Sequence, residues 1–497
     1  MRVLFVNKFL DKEAIFRTPL GIMSLSAMIK DDHDVKIIDP KVQDIRQVME
    51  TFKPQMLAYS LRTGFHQYYL DLNRKLKADY EFISVFGGPH VTFYPKTIED
   101  TGVDIIGFGE ADESFKDLVD RCGRGEDISA VPNFWVKTPE GISKNPKRML
   151  TKHLDELPFP DRDLFNEHKE VNDSKVHPFI ASRGCPFKCT YCFNAGMAEE
   201  YKGEKYVRRR SVPHVMEEVK RVKAKYNLKV AIFEDDTFNI STKWVREFCV
   251  EFAKLDLKLI PIGLRAELIT EEQIQYLKMA NCTGLVFGLE SGNMEIRRDV
   301  LKRNITDEQM IEASHLLHKY GIRFMTENLV GIPGTALEDD IKTLELNLKC
   351  NPFIANAHIL QPYPGTELYE YSVRNGLFEE EGFDALGGLY ETSTLRIDNR
   401  KERVRLAKLF GIIVAFPFLH RFTATLISLP LDGLYTLLQN AFKAYVGIRW
   451  VPYRRSFGEY LSLFKRFFSA SDSKAVDIGK SSRGTDLGRA VPVAGSD

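Results

Sequence analysis

No stretch of the 497 residues reaches the roughly 18 uncharged apolar residues that a membrane-spanning helix needs, so a span is not expected. The opening, "MRVLFVNKFLDKEA", is a short apolar run followed at once by charge. It reads as a first strand, not as a secretory signal. Neither sign of charge is in excess: lysine plus arginine and aspartate plus glutamate both number 69. A chain with that balance lacks the footprint of a nucleic-acid binder. No short-period internal repeat is visible. The seven cysteines are odd in number and three are bunched. That excludes a disulfide framework as the expected architecture and points to a reducing cytoplasm.

The chain is too long for one hydrophobic core, so several domains are expected. Apolar runs at 2–7, 34–39, 55–60, 81–87 and 103–109 alternate with helical spacing near 19–30, 43–52, 66–78, 94–100 and 111–121. Strands apolar on both faces with helices between them predict a parallel, doubly wound (Rossmann-like) α/β domain over 1–125. Residues 126–177, with "TPEGISKNPKR" and "ELPFPDRDLF", read as a linker. A second βα series has strands at 178–184, 230–235, 258–265, 284–290, 323–331 and 355–362. Six such units suit a partial TIM-type (β/α)6 barrel over 178–375, with its chemistry at the strand C-termini. Residues 376–470 read as a C-terminal helical cap, and 471–497, rich in Ser, Gly and Asp, as a disordered tail.

"SRGCPFKCTYCFN" places Cys185, Cys189 and Cys192 just after the first strand of that series, with no fourth partner close by. Structural zinc closes with four ligands, and ferredoxin clusters also take four thiolates. An iron–sulfur cluster held by three keeps one iron open for a ligand. Gly184 and Pro186 turn the chain around Cys185, and Tyr191 offers an aromatic face. Zinc or plain thiols are the competing readings. Cys122, Cys249, Cys282 and Cys350 read as small buried hydrophobes.

Cys-x3-Cys-x2-Cys after the first barrel strand resembles the signature of the radical SAM superfamily, with Tyr191 at the family's aromatic position. The resemblance covers roughly 178–375. It implies a 4Fe-4S cluster whose open iron chelates S-adenosyl-L-methionine, and reductive cleavage to methionine and a 5′-deoxyadenosyl radical. It also implies an electron donor such as flavodoxin or ferredoxin. Later strand ends are then expected to contact S-adenosylmethionine: Glu234, Asp235 and Asp236 in "FEDDTF", Arg265 and Glu267 in "GLRAEL", Glu290 and Ser291 in "FGLESGN", and Gly331 in "LVGIPGT".

The first domain resembles the cobalamin-binding domain of one large radical SAM class, which implies cobalamin as a further cofactor. The expected contacts are Thr18, then Ser60, Arg62 and Thr63 in "YSLRTGF". They continue with Gly87, Gly88, Pro89, His90 and Thr92 in "FGGPHVTFYP", and Gly109 and Glu110 in "GFGEADESF". The cobalt-ligating Asp-x-His-x-x-Gly motif is not matched. His33 reads as a surface turn residue, and Arg62 or His66 could lie near the lower face of the corrin.

These implications make methylation of an unactivated carbon the expected activity. A non-methylating radical reaction (cyclisation or oxidation of a tetrapyrrole or lipid) and a zinc-stabilised binding protein are the alternatives. The apolar runs after residue 400, followed by Lys443, Arg449, Arg454, Arg455, Lys465 and Arg466, read as a cap over the barrel mouth or an interfacial surface. They are expected to admit a hydrophobic or amphipathic acceptor, with peripheral contact at the inner membrane face. Deletion after residue 400 is expected to spare both cofactor sites.

Overall fold

The computed structural model describes residues 1–9, 18–379, 393–451 and 453. The expected disordered tail and Arg454, Arg455, Lys465 and Arg466 lie outside them.

In the first domain, five parallel strands run β1 (Arg2–Val6), β2 (Asp34–Ile38), β3 (Met56–Ser60), β4 (Ile83–Gly87) and β5 (Ile105–Gly107), in the order β2-β1-β3-β4-β5. The near-continuous apolar runs are explained by two cores. Val3 and Phe5 of β1 enter one with Met56 and Ala58 of β3, while Leu4 and Val6 enter the other with Leu57 and Tyr59. Both faces are covered, as parallel sheets require. The helix expected at 94–100 is instead a short helix, Pro89–Phe93, and a 3-10 turn, Pro95–Glu99, because Pro95 interrupts it.

The linker reading needs correction. Strands β6 (Phe134–Thr138) and β7 (Gly141–Lys144) extend this sheet as an antiparallel hairpin beyond β5. Phe134 and Val136 supply buried side chains. The Pro-Glu-Gly that argued against regular structure forms the turn, with Gly141 at φ +133°.

The second series also departs at its start. Strand β8 is Val176–Phe179, and Ser182–Arg183 (β9) pairs antiparallel with Arg208–Arg209 (β10). The buried Asp235 carboxylate takes the Ala181 N–H and the Ser182 hydroxyl, so the chain leaves the barrel ladder there. Strands β11 (Val230–Phe233), β12 (Lys258–Pro261), β13 (Gly284–Glu290), β14 (Arg323–Val330) and β15 (Ile354–Ile359) follow. They form β12-β11-β8 and β13-β14-β15, joined by the bridges Leu259–Cys282 and Leu264–Phe287. The result is an open six-stranded barrel. Side-chain N-caps at Ser211, Ser241, Thr270, Thr306 and Thr366 start its helices.

The C-terminal helices do not cap the mouth. Helix Arg400–Ala415 descends along β15, anchored near the strand-end loops by Arg403, whose Nη1 donates to Asp340 at 2.8 Å. Helix Asp432–Trp450 then closes the opposite end. Trp450 and Val446 pack with Val176, Val230 and Ile354, the first residues of their strands. An added Cβ at Gly284 would come 2.9 Å from the Trp450 ring. Val446 and Trp450, part of the apolar surface that read as a cap over the mouth, pack on the barrel floor instead and do not line the cysteine end.

Candidate functional site

All three bunched cysteines lie on the loop after β9, where Gly184 takes φ +85°. An added Cβ there would meet the Tyr206 carbonyl at 2.6 Å, so both shape and packing call for glycine. Asp236 holds this loop. It accepts from the Gly184 N–H at 3.0 Å and from Asn194 Nδ2 at 2.8 Å, while Tyr206 donates to Asn194 Oδ1 at 2.6 Å. Cys185 Sγ lies 3.1 Å from Thr237 Oγ1, and Arg265 Nη1 donates to Cys189 Sγ at 3.4 Å. Burial pushes the Cys192 thiol up to about 12, and proximity to Cys189 and Cys185 adds to the effect. Neutral thiols are poor ligands, so an attached cationic centre would hold these as thiolates. Among the described residues no three His, Cys, Asp or Glu side chains converge on one metal ion. Three cysteines on one short loop suit a cluster that keeps one iron open.

The later strand ends divide into cofactor-facing and structural groups. Tyr191 donates to Glu290 Oε1 at 2.9 Å, joining the cysteine loop to β13. Glu290 is buried at φ +70°, and burial raises its carboxyl, opposed by nearby Arg303. Arg265 pairs with Glu267 and stacks 4.0 Å over the Phe187 ring, so this expected pair meets itself across the cysteine loop. Asp235, expected at the cofactor, is buried under the loop. Desolvation pushes it up to about 6 despite nearby Arg209. Ser291 is likewise structural, its hydroxyl accepting from the Asn293 N–H. Glu234 is half-buried beside these groups. Gly331, at φ +76°, donates its N–H to Asp340, which Arg403 also holds.

In the first domain the expected loops assemble, but much of their hydrogen bonding is internal. Thr92 Oγ1 donates to the Gly88 carbonyl and accepts from the Gly109 N–H, tying the loops after β4 and β5 together. Thr63 and His90 are buried and bonded to each other at 3.0 Å, and His66 stacks on His90 at 4.1 Å. Of the two residues suggested for the lower face of the corrin, His66 is buried against His90 and Arg62 is exposed. Gly88, at φ +96°, is required by its own neighbours: a Cβ would come 2.7 Å from the Leu61 carbonyl. A Cβ at Gly87 would be in ordinary contact with the Tyr59 carbonyl at 3.9 Å, and Ser60, Arg62 and Pro89 nearby are partly or fully exposed. These residues lie at the carboxyl ends of the strands, where ligands of doubly wound sheets bind. Thr18 lies apart, lining a small cavity with Arg162, Phe165 and His177. His33 is no simple surface residue. It joins the N-terminal amine at 3.1 Å and Asp120 at 2.8 Å, far from the strand-end loops.

Glu110 corrects its expected role as a cofactor hydrogen-bonding group. It pairs with Arg183 at 2.8 Å and with Arg208, while Asp112 takes two bonds from Arg183 at 2.7 and 3.0 Å. Burial pushes Asp112 up, yet Arg183 more than offsets this and its carboxyl lies below the usual range. Gly109, at φ +62°, packs under the Tyr201 hydroxyl, which accepts from the Glu110 N–H at 3.2 Å. Arg183 stands two residues before Cys185. The first domain is thus clamped directly onto the cysteine loop. Sequence reasoning missed Arg183, Tyr201 and Arg208; the "RRRS" run of Arg208–Ser211 in a neutral chain was the available signal.

The family model of the radical SAM superfamily matches residues 179–346, and that of the B12 binding domain matches 16–119. An uncharacterized methyltransferase of Pyrococcus horikoshii is 29% identical over 372 residues, covering 72% of this chain and 79% of the relative. The cytidylyl-2-hydroxyethylphosphonate methyltransferase of Streptomyces wedmorensis is 23% identical, covering 73% and 79%. An anaerobic magnesium-protoporphyrin IX monomethyl ester cyclase of Rubrivivax gelatinosus is 25% identical, covering 68% and 62%. The structure of the cobalamin-dependent S-adenosylmethionine radical enzyme OxsB, with aqua-cobalamin and S-adenosylmethionine bound, aligns with TM-score 0.64 at 17% identity, over 94% of this chain and 75% of that one. It shares the fold.

Proposed function

We propose that this chain, which belongs to the radical SAM superfamily and carries a B12-binding domain, is a cobalamin-dependent radical SAM methyltransferase. Its acceptor is an unactivated carbon of a hydrophobic or amphipathic small molecule. The observation that carries this reading is the clamp of Glu110 and Asp112 on Arg183, which holds the first domain beside the three-cysteine loop.

When bound, the 4Fe-4S cluster supplies the electron that cleaves S-adenosylmethionine, whose 5′-deoxyadenosyl fragment takes a hydrogen atom, and the cobalamin supplies the methyl group. The chain's own residues do the positioning. Cys185, Cys189 and Cys192 would hold the cluster, and Asp236 with Asn194 keeps their loop in shape. Tyr191 and Glu290, tied together beneath that loop, and Glu234 would meet S-adenosylmethionine. Arg265 is kept over the loop by Glu267. Gly87 with Ser60 and Arg62 would lie against the corrin. The half-exposed Cys185 edge leaves a route for an electron donor such as flavodoxin or ferredoxin.

Similarity to the cyclases favours a second reading, radical chemistry without methyl transfer. Anaerobic reconstitution with iron, sulfide and cobalamin, followed by reductant and S-adenosylmethionine, separates the two. A methyltransferase releases 5′-deoxyadenosine and, only with cobalamin present, S-adenosylhomocysteine. A non-methylating enzyme gives the first alone. Absence of both sinks the radical SAM reading.

A peripheral contact with the inner face of the membrane is also proposed. Phe416, Phe418, Phe422, Leu434 and Leu437 are 45–62% exposed beside Arg421 and Lys443, on the floor side of the barrel. Among the described residues no helix is long and apolar enough to cross a membrane. Flotation with anionic vesicles tests the contact, and a protein that stays wholly in the aqueous fraction at low salt refutes it.

A further inference from the structure

The barrel interior holds a polar group that neither the cysteine loop nor the domain clamp uses. Along β14 the burial alternates. Thr326 and Asn328 face the helices, where the Thr326 hydroxyl donates to Asn347 at 2.6 Å. Met325, Glu327 and Leu329 therefore face the lumen. Glu327 accepts from two lumen-facing residues of β15: Asn356 Nδ2 at Oε1, 3.0 Å, and His358 Nε2 at Oε2, 2.8 Å. On the other side of β14, Glu290 is close enough to feel the charges of both Glu327 and His358. Strand β14 is flanked on both sides, yet the side chains of Glu327 and His358 are 34% and 31% exposed. Glu327 lies on a strand flanked on both sides, so its exposed part faces the interior of the open barrel. Below this group the lumen is filled: Ile232 and Ile260 are buried against Trp450, with Val286 and Met325 packed on them, so the space at Glu327 has an apolar floor.

We propose that Glu327, held by Asn356 and His358, is the polar anchor of an acceptor chamber in the lumen. This rests on the reading above that the barrel end carries the radical chemistry. The apolar floor takes the body of an amphipathic small molecule, and Glu327 receives its hydroxyl or amino donor. A head group seated on Glu327 meets a carboxylate, with the Glu290 carboxyl nearby, so an anionic head group is disfavoured at that position. Glu327 and His358 then determine which acceptor binds and in what register, while cleavage of S-adenosylmethionine depends on other residues.

The test uses the reconstituted holoenzyme and three simple probes, octanol, octylamine and octanoate, with binding read by calorimetry and 5′-deoxyadenosine release measured alongside. The wild type should bind octylamine and octanol, and octanoate about tenfold more weakly or not at all. Glu327→Gln should lose about tenfold for octylamine and gain octanoate binding, a reversal that misfolding cannot imitate. His358→Ala should weaken the donor probes. Slow release of 5′-deoxyadenosine without acceptor should persist in both variants. Failure of every probe to bind the wild type, or an unchanged order of affinities in Glu327→Gln, overturns the chamber. Loss of 5′-deoxyadenosine in the wild type itself instead strikes the underlying radical reading and leaves the binding result to be judged separately.

Discussion

Replacing Arg183 with methionine removes the centre of the domain clamp while keeping most of its apolar stem. Asp112 then loses both of its hydrogen bonds to that guanidinium, and Glu110 keeps only Arg208. The Asp112 side chain is 9% exposed and that of Arg183 22%. Stranding one partner of a buried pair costs about 3–5 kcal/mol, and the partial exposure of Arg183 brings the expected loss to about 2–4 kcal/mol. The N-terminal position of Asp112 on its helix returns a fraction of this. The pH dependence has a definite sign. In the wild type the depressed Asp112 pKa gives stability that is present above the ordinary carboxylate range and lost on acidification through the folded value. In the variant, burial without its counter-ion raises that pKa, so the carboxylate destabilises at neutral pH and protonation relieves it. Denaturant unfolding from pH 7.5 down to pH 4 should therefore show a deficit that shrinks with acid. The double variant Arg183→Met, Asp112→Asn should recover much of the loss. A variant as stable as the wild type at pH 7.5, or a deficit that grows with acid, would refute the clamp as described.

Three further outcomes are expected. His177 is buried and its pKa is lowered to about 4 by desolvation, with Arg162 contributing. The unfolded chain protonates first as pH falls below about 6.5, so this group should cost about 2 kcal/mol at pH 5 relative to pH 7.5. In a His177→Gln protein that part of the acid slope should vanish from unfolding curves, and an unchanged slope would exclude the assignment. Trp450→Ala should lose about 3–5 kcal/mol by thermal or chemical unfolding, and deletion after residue 400 should give aggregated protein, because the barrel floor is opened. A soluble, cofactor-binding deletion would restore the cap reading. Gly109→Ala should destabilise by about 1–3 kcal/mol through its φ of +62° and the Tyr201 contact, with part of the loss recovered by Tyr201→Phe. No recovery would place the cost in the backbone alone.

Both sheets were legible because buried parallel strands read as continuous apolar runs. Alternate residues of β1 and β3 serve two cores, as strands of a sheet covered on both faces must. The cysteine spacing was likewise legible, and the structure gathers the three residues on one loop held by Asp236. The hairpin β6–β7 was obscured because its turn residues dominated a short segment. Asp235 and Ser291 looked like cofactor contacts because a strand-end polar residue carries the same signal whether it faces a ligand or holds a loop. Glu110 and Thr92 could not be assigned locally, since their partners, Arg208 and Gly109, lie 98 and 17 positions away. The helices after residue 400 were visibly apolar, but which end of the barrel they cover depends on the direction of Arg400–Ala415, and amphipathic spacing does not encode that.

The central claim is that Cys185, Cys189 and Cys192 hold a cluster with one open iron that binds S-adenosylmethionine. Mössbauer spectroscopy of protein reconstituted anaerobically with iron-57 tests it most directly. The account predicts a four-iron spectrum in which a single site shifts when S-adenosylmethionine is added, and no cluster signal when all three cysteines are replaced by alanine. A spectrum unchanged by S-adenosylmethionine, or equal iron in the triple variant, would contradict it.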